Sequence, residues 1–151
     1  MAKRTIEQEV RRLGAIEDIK QLKAIYCAHC DNNYDPDKLA AMFVEDATWD
    51  GGDFGVHRGR KEIHTFFSGI SGAIVFAGHL VVNPIIDVAE DGLSATGKWW
   101  LIMPCTVDEE GTKESRWLFA EYSDEYVCVD DEWLYSSLKL KLHHFVPHLK
   151  G

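Results

Sequence analysis

Residues 114–146 read ESRWLFAEYSDEYVCVDDEWLYSSLKLKLHHFV, and apolar and polar side chains alternate along most of the stretch. Leu118 and Tyr122 share a parity on the first run, Leu138 and Leu140 share one on the second, and Asp130-Asp131 lies between the two runs as a tight turn. This pattern predicts two long strands, 114–129 and 132–146, folded back on each other. Working towards the N-terminus, the same period of two runs through about 75–88 and 94–106. Glu90-Asp91-Gly92 and Asp108-Glu109-Glu110-Gly111 supply the turns between them. Four strands in succession with no helix between them predict an antiparallel sheet.

The first half of the chain follows a different period. Thr5-x-x-Gln8 has the form of a capping box. Ile6, Val10, Leu13, Ile16, Ile19, Leu22 and Ile25 follow at spacings of three or four, which predicts a long amphipathic helix to about Asn32. Asp35-Pro36 restarts a helix that carries Leu39, Met42 and Phe43. A short strand at 47–49 stops at the glycine-rich GGDFG loop, and a third helix over about 59–68 turns Ile63, Phe66 and Phe67 inward. Helices first and sheet afterwards is an α+β order. The expected fold is a curved antiparallel sheet wrapped around the N-terminal helices, in one domain over 1–151. A small ligand would sit in the cone-shaped cavity this leaves.

Composition narrows the function. The formal net charge is -9, which argues against nucleic acid as a partner, since phosphate binding needs clustered Lys and Arg. No apolar run approaches the ~18–20 residues of a membrane span. The opening MAKRTIEQEVRR is charged throughout and lacks the apolar core of a signal peptide. A cytoplasmic location with reduced cysteines is expected.

Residues 26–31, YCAHCD, raise the question of a metal or redox site. A structural zinc site needs four ligands, and Cys105 and Cys128 fall on separate predicted strands. A redox pair belongs at a helix start, where the dipole lowers the thiol pKa, whereas Cys27 and Cys30 lie near a helix end. They are expected to be packing residues, with no metal. The same holds for His143, His144 and His148, which lack a completing ligand nearby and read as tail or interface residues.

Asp31 stands apart. It falls where the helix ends, a poor place for a carboxylate because the dipole there is negative, so a partner is invited. His79 lies early on the first long strand among apolar neighbours. A carboxylate beside it would fix the imidazole tautomer and leave the other nitrogen as a general base.

At these residues the sequence resembles the SnoaL-like branch of the nuclear-transport-factor-2-like (cystatin-like α+β barrel) superfamily. The resemblance covers nearly the whole chain. It rests on AIEDIKQLKAIYCAHCD, DPDKLAAMFVEDATWDG, GRKEIHTFF, GHLVVNPIIDV and EYSDEYVCVDDEWLYSS. Within it the chain is most similar to the group of hexachlorocyclohexane dehydrochlorinase, bile acid 7α-dehydratase and scytalone dehydratase. That resemblance implies an α+β barrel and a cofactor-free lyase acting on a small hydrophobic, cyclic substrate. It also implies a homo-oligomer, a trimer by resemblance with a dimer as the other option. The family's catalytic Asp–His pair falls on Asp31 and His79, and the dehydratases' tyrosine, five residues before the Asp, falls on Tyr26. Trp49, Trp99, Leu101, Leu118 and Tyr122 match pocket-facing positions. The arginine with which the dehydrochlorinase handles chloride is replaced by Leu138, which favours a hydroxyl leaving group. An isomerase or cyclase using the same pair is the alternative, as is a non-catalytic ligand-binding or partner-docking module.

Overall fold

The computed structural model describes residues 4–148. Helix α1 (Ile6–Asp31) opens on the capping box: the Thr5 hydroxyl accepts from the Gln8 N–H, and the Gln8 side chain accepts from the Thr5 N–H. Helix α2 (Pro36–Ala41) is capped by Asp35, which accepts from the Lys38 N–H. Met42 and Phe43 lie beyond α2, and Phe43 begins strand β1 (Phe43–Asp50), longer than the three residues expected. A 3-10 turn at Gly52–Phe54 leads to β2 (Val56–Arg58), a strand the sequence pattern did not reveal. Helix α3 spans Arg60–Ile70, with Ile63 and Phe67 buried.

The expected strand at 75–88 is divided in two. β3 covers Ile74–Ala77 and β4 covers Leu80–Val88, with Gly78 and His79 between them. Both halves pair with the long β5 (Ser94–Glu109), Ala77 opposite Cys105 and Leu80 opposite Ile102. Gly78 therefore faces Pro104 and donates to its carbonyl at 3.0 Å, but Pro104 has no N–H to return. The ladder is interrupted there. β6 (Thr112–Val129) and β7 (Glu132–Pro147) complete an antiparallel meander with β5, with two register shifts between β6 and β7.

The sheet order is β2-β1-β7-β6-β5-β3, with β4 also on β5. One neighbour departs from the antiparallel expectation: β1 runs parallel to β7. This curved, unclosed seven-stranded sheet beside three helices is the α+β architecture expected. Along β5 the inward row is Ala95, Gly97, Trp99, Leu101, Met103, Cys105 and Val107, all buried. β6 contributes Leu118, Ala120, Tyr122, Asp124 and Tyr126.

The buried face of α1 corrects the sequence reading. Ile6, Val10 and Leu13 are 86%, 63% and 53% exposed, because the first turns of the helix lie outside the core. The buried stripe is Ala15, Ile19, Lys23, Tyr26, Cys27 and Cys30, also at spacings of three and four but rotated around the helix. Lys23 belongs to it because Asp124 meets its ammonium inside the fold, at 2.8 Å. Among the described residues no helix is long and apolar enough to cross a membrane.

Candidate active site

Asp31 is the last residue of α1, and His79 sits in the gap between β3 and β4. Gly78 takes the hydrogen-bonding position opposite Pro104, so the His79 N–H points away from β5 at the free edge of the sheet, and the Asp31 carboxylate takes it up, at 3.0 Å to Oδ1 and 3.1 Å to Oδ2. Asp31 Oδ1 also lies 2.6 Å from His79 Nδ1. An ionised carboxylate can only accept, so in the neutral imidazole the ring proton belongs on Nδ1, which leaves Nε2 as the acceptor. The negative helix end that disfavours a carboxylate is thus offset by two donors from one residue. The His79 side chain is 6% exposed and that of Asp31 33%. Among the described residues no group hydrogen-bonds Nε2. The two residues therefore meet as the sequence anticipated, with His79 in a strand break rather than on a strand.

Tyr26 is placed differently. Its hydroxyl accepts from Trp49 Nε1 at 3.0 Å, and its ring packs edge-on against Phe43, Phe67 and Tyr135. Burial pushes its hydroxyl well above the usual tyrosine range. It makes no hydrogen bond to Asp31 or His79 among the described residues. Gly51 makes room for the Trp49 ring, since a Cβ there would lie 2.4 Å from its six-membered rim.

The other wall candidates, Trp99, Leu101, Leu118 and Tyr122, are all buried. Trp99 stands opposite Tyr122 across β5 and β6 and donates to the Tyr126 hydroxyl at 3.2 Å. Leu138 and Leu140 are buried while Lys139 and Lys141 are exposed, so no cation of β7 replaces the arginine of the dehydrochlorinase at that position.

Cys27 and Cys30 are buried in the core, and desolvation raises both thiols, Cys27 to about 11. They stay protonated and pack as small apolar groups. Among the described residues no three His, Cys, Asp or Glu side chains are grouped to hold a metal. His143 pairs with Glu121 at 2.6 Å, and His148 stacks on Trp117, so both pack against β6.

Two features escaped the sequence reading. Lys23 Nζ bonds Asp124 and stands 3.3 Å from the centroid of Tyr122, with Tyr26 and Tyr135 also within cation–π reach. The signal was available: Lys23 is four residues from Ile19 and from Cys27, and Asp124 shares the inward parity of Tyr122 and Tyr126. Tyr34, three residues past Asp31, lies edge to face with His79 at a centroid distance of 6.1 Å.

A family model described as a SnoaL-like domain matches residues 11–139. No curated protein matches the sequence. Among solved structures the chain is similar to a hexachlorocyclohexane dehydrochlorinase (LinA) type 2, with TM-score 0.84, 19% identity and 93% of each chain covered. It is also similar to a LinA type 3 enzyme of Novosphingobium barchaimii LL02, with TM-score 0.81 and 20% identity over 93% of this chain and 94% of that one. A scytalone dehydratase-like protein of Novosphingobium aromaticivorans DSM 12444 superposes with TM-score 0.80 and 23% identity, over 97% of this chain and 94% of that one. At these identities the likeness establishes the fold, and the match of the family model over most of the chain decides membership: the chain belongs to the SnoaL-like domain family.

Proposed function

We propose that this protein is a cofactor-independent lyase that removes water from a small hydrophobic, cyclic substrate. The observation that carries the reading is the Asp31 carboxylate holding both the backbone N–H and Nδ1 of His79, with Nε2 left unbonded. His79 Nε2 takes a proton from carbon, and Asp31 stabilises the imidazolium that forms. Tyr26 keeps a hydroxyl proton after accepting from Trp49 and serves as a donor to the departing oxygen. Trp49, Trp99, Leu101, Leu118 and Tyr122 line the apolar wall. Exclusion of water strengthens these polar contacts, and a positioned acid or base contributes about 10²–10⁴-fold. Buried Leu138 supports a hydroxyl over a halide as the leaving group, since no cation waits there for chloride.

The working form is proposed to be a homo-oligomer. Leu80, Val82 and Trp100 support this: they are exposed, and Val82 and Trp100 are cross-strand partners on the outward face. Light scattering of the purified chain gives its mass.

The test of activity is a screen of hydroxylated steroids, terpenoids and polyketide phenols, read by mass spectrometry for loss of one water. His79→Ala should abolish turnover with the fold intact, and retained activity refutes the assignment. A product of unchanged mass moves the reading to a proton-shuttling isomerase on the same pair.

A further inference from the structure

Tyr34 follows α1 in a conformation that tyrosines rarely adopt. Asn33 and Tyr34 have φ of 63° and 52°, two consecutive left-handed residues. Such a backbone costs about 1–3 kcal/mol at a non-glycine residue and persists only where its surroundings hold it. Here the Tyr34 N–H bonds the Cys30 carbonyl at 3.2 Å, and the ring stacks on Phe67 with centroids 6.3 Å apart and planes 15° apart. Its edge-to-face contact with the His79 ring has an interplanar angle of 77°.

The ring alone accounts for that packing, and the hydroxyl does not contribute to it. Tyr34 is 5% exposed, and its hydroxyl makes no hydrogen bond to a described residue. Among the described residues, the polar side-chain atoms that are sealed without a partner are His57 Nε2, Asp124 Oδ1 and the Tyr135 hydroxyl. Neither the Tyr34 hydroxyl nor His79 Nε2 is among them, so neither atom is completely sealed. Two buried rings in contact each present one unbonded polar tip, an acceptor on the imidazole and a donor on the phenol. Desolvation, with Cys30 and Asp31 adding to it, pushes the phenol far above the usual tyrosine range. It therefore keeps its proton and acts through a hydrogen bond.

We propose that Tyr34 is a further catalytic residue of this site, donating a hydrogen bond to the leaving hydroxyl of a hydroxylated ring while His79 takes the neighbouring C–H proton. The proposal rests on the acid–base reading of Asp31 and His79. The C–H bond breaks with its proton going to Nε2, and its electron pair forms the new C=C bond as the C–O bond breaks. The departing oxygen takes the proton from the imidazolium and leaves as water. Tyr34 is protonated throughout, so the alcohol becomes an alkene and water with the enzyme unchanged.

The test needs no turnover. The probe 2-naphthol offers a hydroxyl proton to Nε2 and a lone pair to Tyr34, whereas 2-methylnaphthalene has the same shape and offers neither. Calorimetric titration of the wild-type chain should show tighter binding of 2-naphthol. Tyr34→Phe, which keeps the ring and its stacking, should weaken 2-naphthol by about three- to tenfold and leave 2-methylnaphthalene unchanged. His79→Ala should weaken 2-naphthol as well, and His64→Ala, in an exposed pair with Asp37, should not. Equal binding of the two probes by wild type, or none of either, overturns the proposal, as does Tyr34→Phe binding 2-naphthol like wild type. The wild-type comparison decides the matter even where Tyr34→Phe does not fold. If His79→Ala alone weakens the probe, the Asp31–His79 reading stands and Tyr34 falls. If the probe pattern holds but no hydroxylated ring loses water, the lyase reading falls and with it the leaving-group role of Tyr34, and only the paired binding contacts remain.

Discussion

Replacing Lys23 by methionine keeps most of the side chain's length and deletes its charge. The ammonium and the Asp124 carboxylate are both sealed from solvent, with Nζ 2.8 Å from Oδ2. Oδ2 also accepts from the Tyr126 hydroxyl at 2.8 Å, while Oδ1 has no partner. Burial already raises Asp124 above the usual carboxylate range, and Lys23 and Tyr126 pull it back. Without Lys23 the protein must bury an unpaired carboxylate or protonate it. Breaking one side of such a pair costs about 3–5 kcal/mol. At about 2–4 °C per kcal/mol for a chain of this size, Tm should fall by roughly 6–20 °C. The sign with pH follows from the raised folded-state pKa of Asp124. The neutral form is favoured in the fold, so the deficit of Lys23→Met should shrink as pH falls through that raised value. Adding Asp124→Leu should recover all but the cost of leaving the Tyr126 O–H without an acceptor, about 1 kcal/mol, since that oxygen still accepts from Trp99. Urea denaturation of the four members of this cycle, at neutral and at mildly acidic pH, measures each quantity. A single variant as stable as wild type, or a double variant no better than the single, refutes the claim that the pair is an interdependent unit of the core.

Three further outcomes are expected. Gly97→Ala would place a Cβ 2.9 Å from Tyr126 Cε2 and 3.1 Å from Trp99 Nε1, so thermal melts should show a loss of about 1–3 kcal/mol from overpacking. Stability should fall as pH rises above about 9, because Cys27, Cys30, Tyr26, Tyr34, Tyr122, Tyr126 and Tyr135 are all raised by burial and ionise first in the unfolded chain. A flat profile between pH 8 and 10.5 in chemical denaturation would contradict that. Long-range ¹H–¹⁵N spectra should show the proton of neutral His79 on Nδ1, and Asp31→Asn should let the Nε2–H tautomer appear; an Nε2–H tautomer in the wild-type chain excludes the general-base geometry.

The strands β5 and β6 were legible because a period of two has one reading: once Leu118 points inward, Ala120, Tyr122, Asp124 and Tyr126 must follow. The α1 face was misread for the converse reason. Ile6, Val10 and Leu13 keep helical spacing but outrun the sheet, while the true stripe contains a lysine that hydropathy assigns to solvent. Lys23 and Asp124 each look misplaced alone and make sense only as a pair, 101 residues apart in sequence. The parallel register of β1 on β7 has no local signature, since β1 pairs with a strand at the far end of the chain. The candidate site combines both kinds of feature. Asp31 ends a helix, Tyr34 occupies a left-handed turn and His79 fills a strand break, three places where repetition stops. Periodicity cannot mark such places, but a backbone donor that points out from a sheet edge is free to hold a carboxylate. Pro104, which cannot return a bond to Gly78, is the point in the sequence that marks the break just before His79.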